Sequence, residues 1–315
     1  MSSKIIFSNY HIPDFKVDIA VILEKVCDSK MLGNLSLNQF CDSYKAQSGL
    51  NNISIGNKKD LFEIYESLLS DMFQNIDIDP LKIGYIIVTE PQNSIIDGIS
   101  LPHYFQKKFN MFNSTIFTLQ QQCAGSLMIC GLSNSLIKKN NPYTLILSSC
   151  YIDKVEERYM GFSIVGDGAG IMLIGQSQNG CEIVDSDSIS DGLYSYNKYN
   201  RIEEEINRLS IVEKGCDLVT GVLNRNSLTN NEIVKFIPQN INKYAYERIY
   251  SSILELESEK MFIKNISDGG HVGDVDFIRN ITDYLKSNTK SGYFIAYGLG
   301  TNGTDVNYSV LLLKN

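Results

Sequence analysis

A helix that is apolar on nearly every face belongs in the middle of a protein, and residues 124–139 predict such a helix in their first turns. Residues 114–119 before it read as a short strand, so Cys123 stands at a strand-to-helix junction. A thiol there meets unpaired N–H groups and the positive end of the helix dipole, which favour thiolate and suit a nucleophile. The alternative is a buried structural cysteine. Lys138 and Lys139 suit the carboxyl end of the helix, Asn140 and Asn141 break the pattern, and Pro142 precedes a strand at 143–149.

The rest of the chain alternates strands with helices. Strands are expected at 4–9, 83–89, 143–149 and 171–174, with helices at 17–27, 59–75 and 102–110. Leu61, Ile64, Tyr65, Leu68, Met72 and Phe73 fall at helical spacing and should pack one face on a sheet. The same order then recurs, with strands near 181–184, 233–237, 293–297 and 306–313. Helices are expected from 201 past 212, over 241–256, and from the glycine-rich turn 268–274 through 285. This repetition predicts α/β layering in two similar halves, residues 1–175 carrying Cys123 and residues 176–315 carrying Gln239, His271 and a glycine loop at 298–303. The halves should meet near 173–180, while 28–57 and 90–101 read as loops at a substrate entrance.

Composition narrows the function. The net charge of −8, with no run of Lys or Arg longer than two, speaks against nucleic acid as a partner. No segment has the length and apolarity to span a bilayer or to act as a signal peptide, so no membrane partner and a cytoplasmic location are expected. Seven cysteines without paired spacing argue for reduced thiols. With just His11, His103 and His271, no metal site is expected.

Five motifs stand in order along the chain: Cys123-Ala-Gly125, Gly166-Asp-Gly-Ala-Gly170, Phe236-Ile-Pro238, Gly269-Gly270 and Gly298-Leu-Gly300. In this order and spacing they resemble the thiolase superfamily, most closely its ketoacyl-acyl-carrier-protein synthase III branch. The resemblance covers nearly the whole chain. It implies a five-layered αβαβα fold of two pseudo-duplicated halves, a homodimer, and an acyl thioester of coenzyme A or acyl carrier protein as substrate, with no other cofactor. Two positions depart from the branch: its histidine after the Ile-Pro motif is Gln239, and its asparagine in the glycine-rich turn is His271. The order of amide and imidazole is that of thiolases proper, yet 298–303 lacks the second thiolase cysteine.

By this resemblance Cys123 is the nucleophile and His271 the base that takes its proton, because an unperturbed thiol is only a few per cent ionised at neutral pH. Gln239 can donate a hydrogen bond but cannot act as acid or base. The oxyanion donors would be the N–H groups of Cys123 and of Leu299, the latter between Gly298 and Gly300. Glu90 falls about where hydroxymethylglutaryl-coenzyme A synthases place a glutamate, but those enzymes also need a histidine at the Gln239 position, so Glu90 is expected to be an exposed loop residue. The branch commonly stacks the coenzyme A adenine on a tryptophan, and this chain has none. An acidic carrier protein would need a local basic patch, for which Lys243 and Arg248 are the candidates.

The expected activity is a ping-pong acyltransferase or condensing enzyme in specialised metabolism. Fatty-acid initiation is the first alternative, and a non-catalytic subunit of a heterodimer is the second.

Overall fold

In a computed structural model, the structure describes residues 2–138, 140–192, 201–287, 291–301 and 305–315. Lys139 and the 302–303 part of the glycine loop therefore lie outside the described residues. The main sheet has nine strands: β1 (Lys4–His11), β2 (Ile83–Val88), β3 (Thr115–Thr118), β4 (Tyr143–Cys150), β5 (Gly168–Gly175), β6 (Cys181–Asp191), β7 (Ile233–Ile237), β8 (Tyr293–Thr301) and β9 (Val306–Lys314). The principal helices are α1 (Ile19–Val26), α2 (Leu37–Ser48), α3 (Leu61–Asn75), α4 (Leu101–Lys108), α5 (Gly125–Gly131), α6 (Arg201–Arg225) and α7 (Val275–Ser287).

The strand order is β7-β8-β9-β6-β1-β5-β4-β2-β3. Outward from β1, neighbours pair antiparallel with β5, antiparallel with β4, parallel with β2 and parallel with β3. Outward from β6, the sequence is antiparallel with β9, antiparallel with β8 and parallel with β7. The second arm repeats the first with one strand fewer. The arms join where Lys4 pairs with Glu182 and Ile5 with Cys181.

Alternation along the strands creates the layers, because successive side chains point to opposite faces. Ile86 and Val88 of β2 pack outward against Leu61, Tyr65, Leu68 and Met72 of α3, while Ile87 between them faces the other way. Ile87 joins Leu127 and Ile129 of α5 and Phe277, Ile278 and Ile281 of α7, and the same core receives Phe294, Leu311 and Leu313 from the second arm. Val310 and Leu312, the intervening residues of β9, pack on the far side with α1 and with Val219 and Val222 of α6. Helix, sheet, paired central helices, sheet and helix make five layers, the αβαβα class expected. Each fully buried Leu, Ile or Phe contributes roughly 1.5–3 kcal/mol.

Three local expectations are corrected. Helix α5 ends at Gly131 after seven residues and not at 139. A side chain at Gly131 would stand 2.7 Å from the Ser186 hydroxyl, and the turn-forming Ser133-Asn134-Ser135 follows, so the chain leaves β6 as soon as it has packed on it. Region 28–57 is not irregular: it holds α2, opened by a capping box between Ser36 and Gln39 and closed by Gly49 at φ 77. The helix buries Cys41 and Ser48, too thin a stripe to show as periodicity. Gly298 to Thr301 continue strand β8 and do not form a loop.

Candidate active site

The chain leaves β3 with the Leu119 N–H bonded to the Val88 carbonyl at 2.8 Å and bends sharply at Gln122, whose φ of 44 is a left-handed conformation that costs a non-glycine residue energy. A single 3₁₀ turn over Gln122–Ala124 places Cys123 immediately before α5. The first turn of that helix is held from below by Asp274. Its carboxylate accepts the Ser126 N–H on both oxygens at 2.9 Å, the Ser126 hydroxyl at 2.9 Å and the Ser148 hydroxyl at 3.3 Å. Burial raises the Asp274 carboxyl to about 6, against the opposing effect of the Ser126 bonds.

Asp274 overturns the expectation that the helix end stabilises a thiolate. The positive end of a seven-residue helix is already answered by a buried carboxylate. Burial drives the Cys123 thiol well above its ordinary value, and the nearby negative charges of Glu90, Asp274 and Asp276 push in the same direction. Cys123 rests as a thiol, of intermediate exposure.

Gln239 follows β7 and is fully buried. Its Nε2 donates to the Cys123 carbonyl at 2.7 Å and its Oε1 accepts the Leu299 N–H at 3.0 Å. One amide thus ties the Cys123 backbone to strand β8. The expected oxyanion donor, Leu299 N–H, is committed to this bond in the resting protein. Gly298 and Gly300 are there for approach: a side chain at Gly300 would stand 2.4 Å from the Gln121 carbonyl and 2.9 Å from the Cys123 nitrogen, and one at Gly298 would stand 2.4 Å from the Phe277 ring.

His271 reaches the site through a second contact between motifs. A side chain at Gly166 would stand 2.3 Å from the Gly269 carbonyl, and the Gly166 N–H donates to the His271 carbonyl at 2.7 Å. Gly269 and Gly270 take φ of 93 and 77, which glycine adopts freely. The imidazole is buried, with Nδ1 2.5 Å from Asp276 Oδ2. Asp276 also accepts the N–H groups of Asn240 at 2.8 Å and Val272 at 2.9 Å. A carboxylate surrounded by donors requires a proton on the imidazole Nδ1. Among the described residues no hydrogen bond joins the imidazole to the Cys123 thiol; the link runs through Asp276, Asn240 and its neighbour Gln239.

Glu90 is not an exposed loop residue. It is 8% exposed, and a side chain at Gly273 would lie 3.8 Å from its Oε1 and 3.2 Å from the sulfur of Cys150. Thr89, the residue before it, packs on Gly125 of α5. Burial, then the charge of Asp274, raises the Glu90 carboxyl to about 8, and a hydrogen bond from Gln92 pulls the other way. Glu90, Asp274, Asp276 and Cys150 were not identified as site residues from the sequence. Asp274 and Asp276 had a signal, since both adjoin the glycine-rich turn; Glu90 had one in its place just after the strand at 83–89, which the departure at Gln239 outweighed.

Lys243 and Arg248 stand apart from the Cys123 cluster. Lys243 is exposed and pairs with Glu247 at 3.7 Å, and with Lys45 and Lys264 it borders a cleft of about 390 Å³. Arg248 lies in the π-helix Ala245–Tyr250. Among the described residues no group of three or more His, Cys, Asp and Glu is arranged to hold a metal, and no helix is long and apolar enough to cross a membrane.

No family profile matches the chain. A beta-ketoacyl-[acyl-carrier-protein] synthase III of Rickettsia bellii is 26% identical over 206 residues, which are 59% of this chain and 63% of that protein. Among solved structures, the 3-oxoacyl-[acyl-carrier-protein] synthase III of Aquifex aeolicus superposes with a TM-score of 0.77 at 16% identity, covering 99% of this chain and 100% of that one. The acyltransferase ChlB3 superposes with a TM-score of 0.76 at 13% identity, over 100% and 98% of the two chains.

Proposed function

We propose that this chain, whose fold is the thiolase-like fold of the synthase III branch, carries an acyl group from a thioester of coenzyme A or acyl carrier protein to a second substrate through Cys123. The observation that supports this most directly is the Cys123–Gln239–Leu299 bond chain, which ties the backbone of a partly exposed cysteine to strand β8. In this reading His271 Nε2 takes the thiol proton as the sulfur attacks the thioester carbonyl carbon, and Asp276 steadies the imidazolium. The carbon–sulfur bond to the carrier breaks, and the imidazolium returns the proton to the departing thiolate. The oxyanion is held by the Cys123 N–H and, once the Gln239 carbonyl yields it, by the Leu299 N–H. A resting thiol with a raised pKa makes proton removal concerted with attack the natural route, because a free thiolate would be scarce.

The same reading assigns Lys243 and Arg248 to carrier-protein docking and the sheet edge at β3, with Phe117 exposed, to a second copy of the chain. Its setting is a specialised pathway, since the Gln239–His271 pair departs from that of fatty-acid initiation.

Intact-mass spectrometry after mixing with acetyl-, hexanoyl- and dodecanoyl-coenzyme A tests the proposal. Wild type should gain acyl mass, Cys123→Ala none, and His271→Ala should acylate about 10² to 10⁴ times more slowly. Acyl mass retained in Cys123→Ala refutes the assignment of the nucleophile.

A further inference from the structure

The second substrate can be read one step further, resting on the acyl-transfer reading above. Decarboxylative condensation builds enolate charge on a thioester oxygen, and that oxygen needs hydrogen-bond donors. Gln239 has its carbonyl and one N–H committed to backbone partners, and the His271 ring is committed through Nδ1 to Asp276. The site is also acidic: Glu90, Asp274 and Asp276 all act on the Cys123 sulfur. A malonyl carboxylate would meet the Asp274 and Asp276 carboxylates there.

What the site does hold is a carboxyl group beside the nucleophile's turn. Glu90 is 8% exposed, and it shares the surface of Gly273 with the Cys150 sulfur. Asn93, 2% exposed, donates to the Ser149 carbonyl at 3.0 Å, and its Oδ1 has no partner among the described residues. A buried acceptor without a donor points to a ligand that brings an N–H or O–H.

We infer that Glu90 is a catalytic residue of the second half-reaction, taking the proton of an amine or hydroxyl acceptor that carries no carboxylate. The acceptor nitrogen or oxygen attacks the acyl carbon on Cys123, its proton passes to the Glu90 carboxylate, and the carbon–sulfur bond breaks. The proton then returns from Glu90 to the Cys123 thiolate, so enzyme and atoms balance. A carboxyl raised to about 8 by burial and by Asp274 is, once ionised, a stronger base than an ordinary carboxylate, so discharge should speed up as pH rises toward about 8.

The test separates loading from discharge. Cys123 is loaded with the three coenzyme A thioesters, and the acyl-enzyme is then challenged with ethanolamine or with malonyl-coenzyme A. Wild type should discharge to ethanolamine and release no carbon dioxide from malonyl-coenzyme A. Glu90→Gln should load at least as fast as wild type, which also shows that it is folded, and discharge to ethanolamine about 10² to 10⁴ times more slowly. Wild-type discharge in Glu90→Gln, an acyl-enzyme inert to ethanolamine, or decarboxylation with carbon–carbon bond formation each overturns the inference and leaves acyl transfer through Cys123 standing. Failure to load from any donor overturns both.

Discussion

Gln239 is the residue whose replacement tells most about the site. Gln239→Met keeps the approximate volume of a fully buried side chain and removes both of its polar ends. The Cys123 carbonyl loses a 2.7 Å bond and the Leu299 N–H a 3.0 Å bond. A buried group left unsatisfied costs about 1–3 kcal/mol, so the two together cost about 2–6 kcal/mol. Methionine recovers about 1–2 kcal/mol because a buried amide no longer has to be desolvated. The expected net loss is about 1–4 kcal/mol, read as a lower urea midpoint with an unchanged slope. A shift below about 0.5 kcal/mol would mean that the clamp does not hold the cysteine turn to β8. Gln239→Glu checks the direction: ionised, it accepts the Leu299 N–H but turns a second acceptor on the Cys123 carbonyl, and it should lose more stability at pH 8 than at pH 5.

Glu90 gives a pH signature of its own. Its carboxyl rises from 4.5 in the unfolded chain to about 8 on folding. Folding therefore favours the protonated form, and wild type loses stability as pH climbs from 4.5 toward about 8. Glu90→Gln cannot ionise, so its stability relative to wild type should grow across that window by a few kcal/mol. Melting temperatures at pH 5 and pH 8.5 measure this, and a difference independent of pH would contradict the burial argument. Asp276→Asn presents an amide to the N–H groups of Asn240 and Val272 and frees the imidazole to change tautomer, so single-turnover acylation should fall about 10²-fold or more. An unchanged rate would show that the orientation of His271 does not matter. Lys243→Glu should slow acylation from a carrier protein at low salt, converge with wild type at high salt, and leave coenzyme A thioesters untouched; equal rates at low salt would remove Lys243 from docking.

The periodicities of the chain carried the layers. The apolar face of α3 and the doubly buried runs of β2 and β9 are local patterns, since a side chain's direction follows from its own backbone and its neighbours two to four residues away. The four glycine-bearing motifs were equally legible, because a position that admits no side chain leaves a glycine wherever it falls, as at Gly166 and Gly300. What the tertiary structure alone decided is the chemistry between those motifs. Gln239 stands 116 residues from the carbonyl it binds, and Asp274 lies 148 residues from the helix turn it caps. Glu90 has an ordinary loop sequence around it, and its raised carboxyl comes from burial and from Asp274, a residue of the other half. Desolvation and charge act through space, so the state of Cys123, thiol and not thiolate, is set by what folding packs around the sulfur and is not written in the residues beside it.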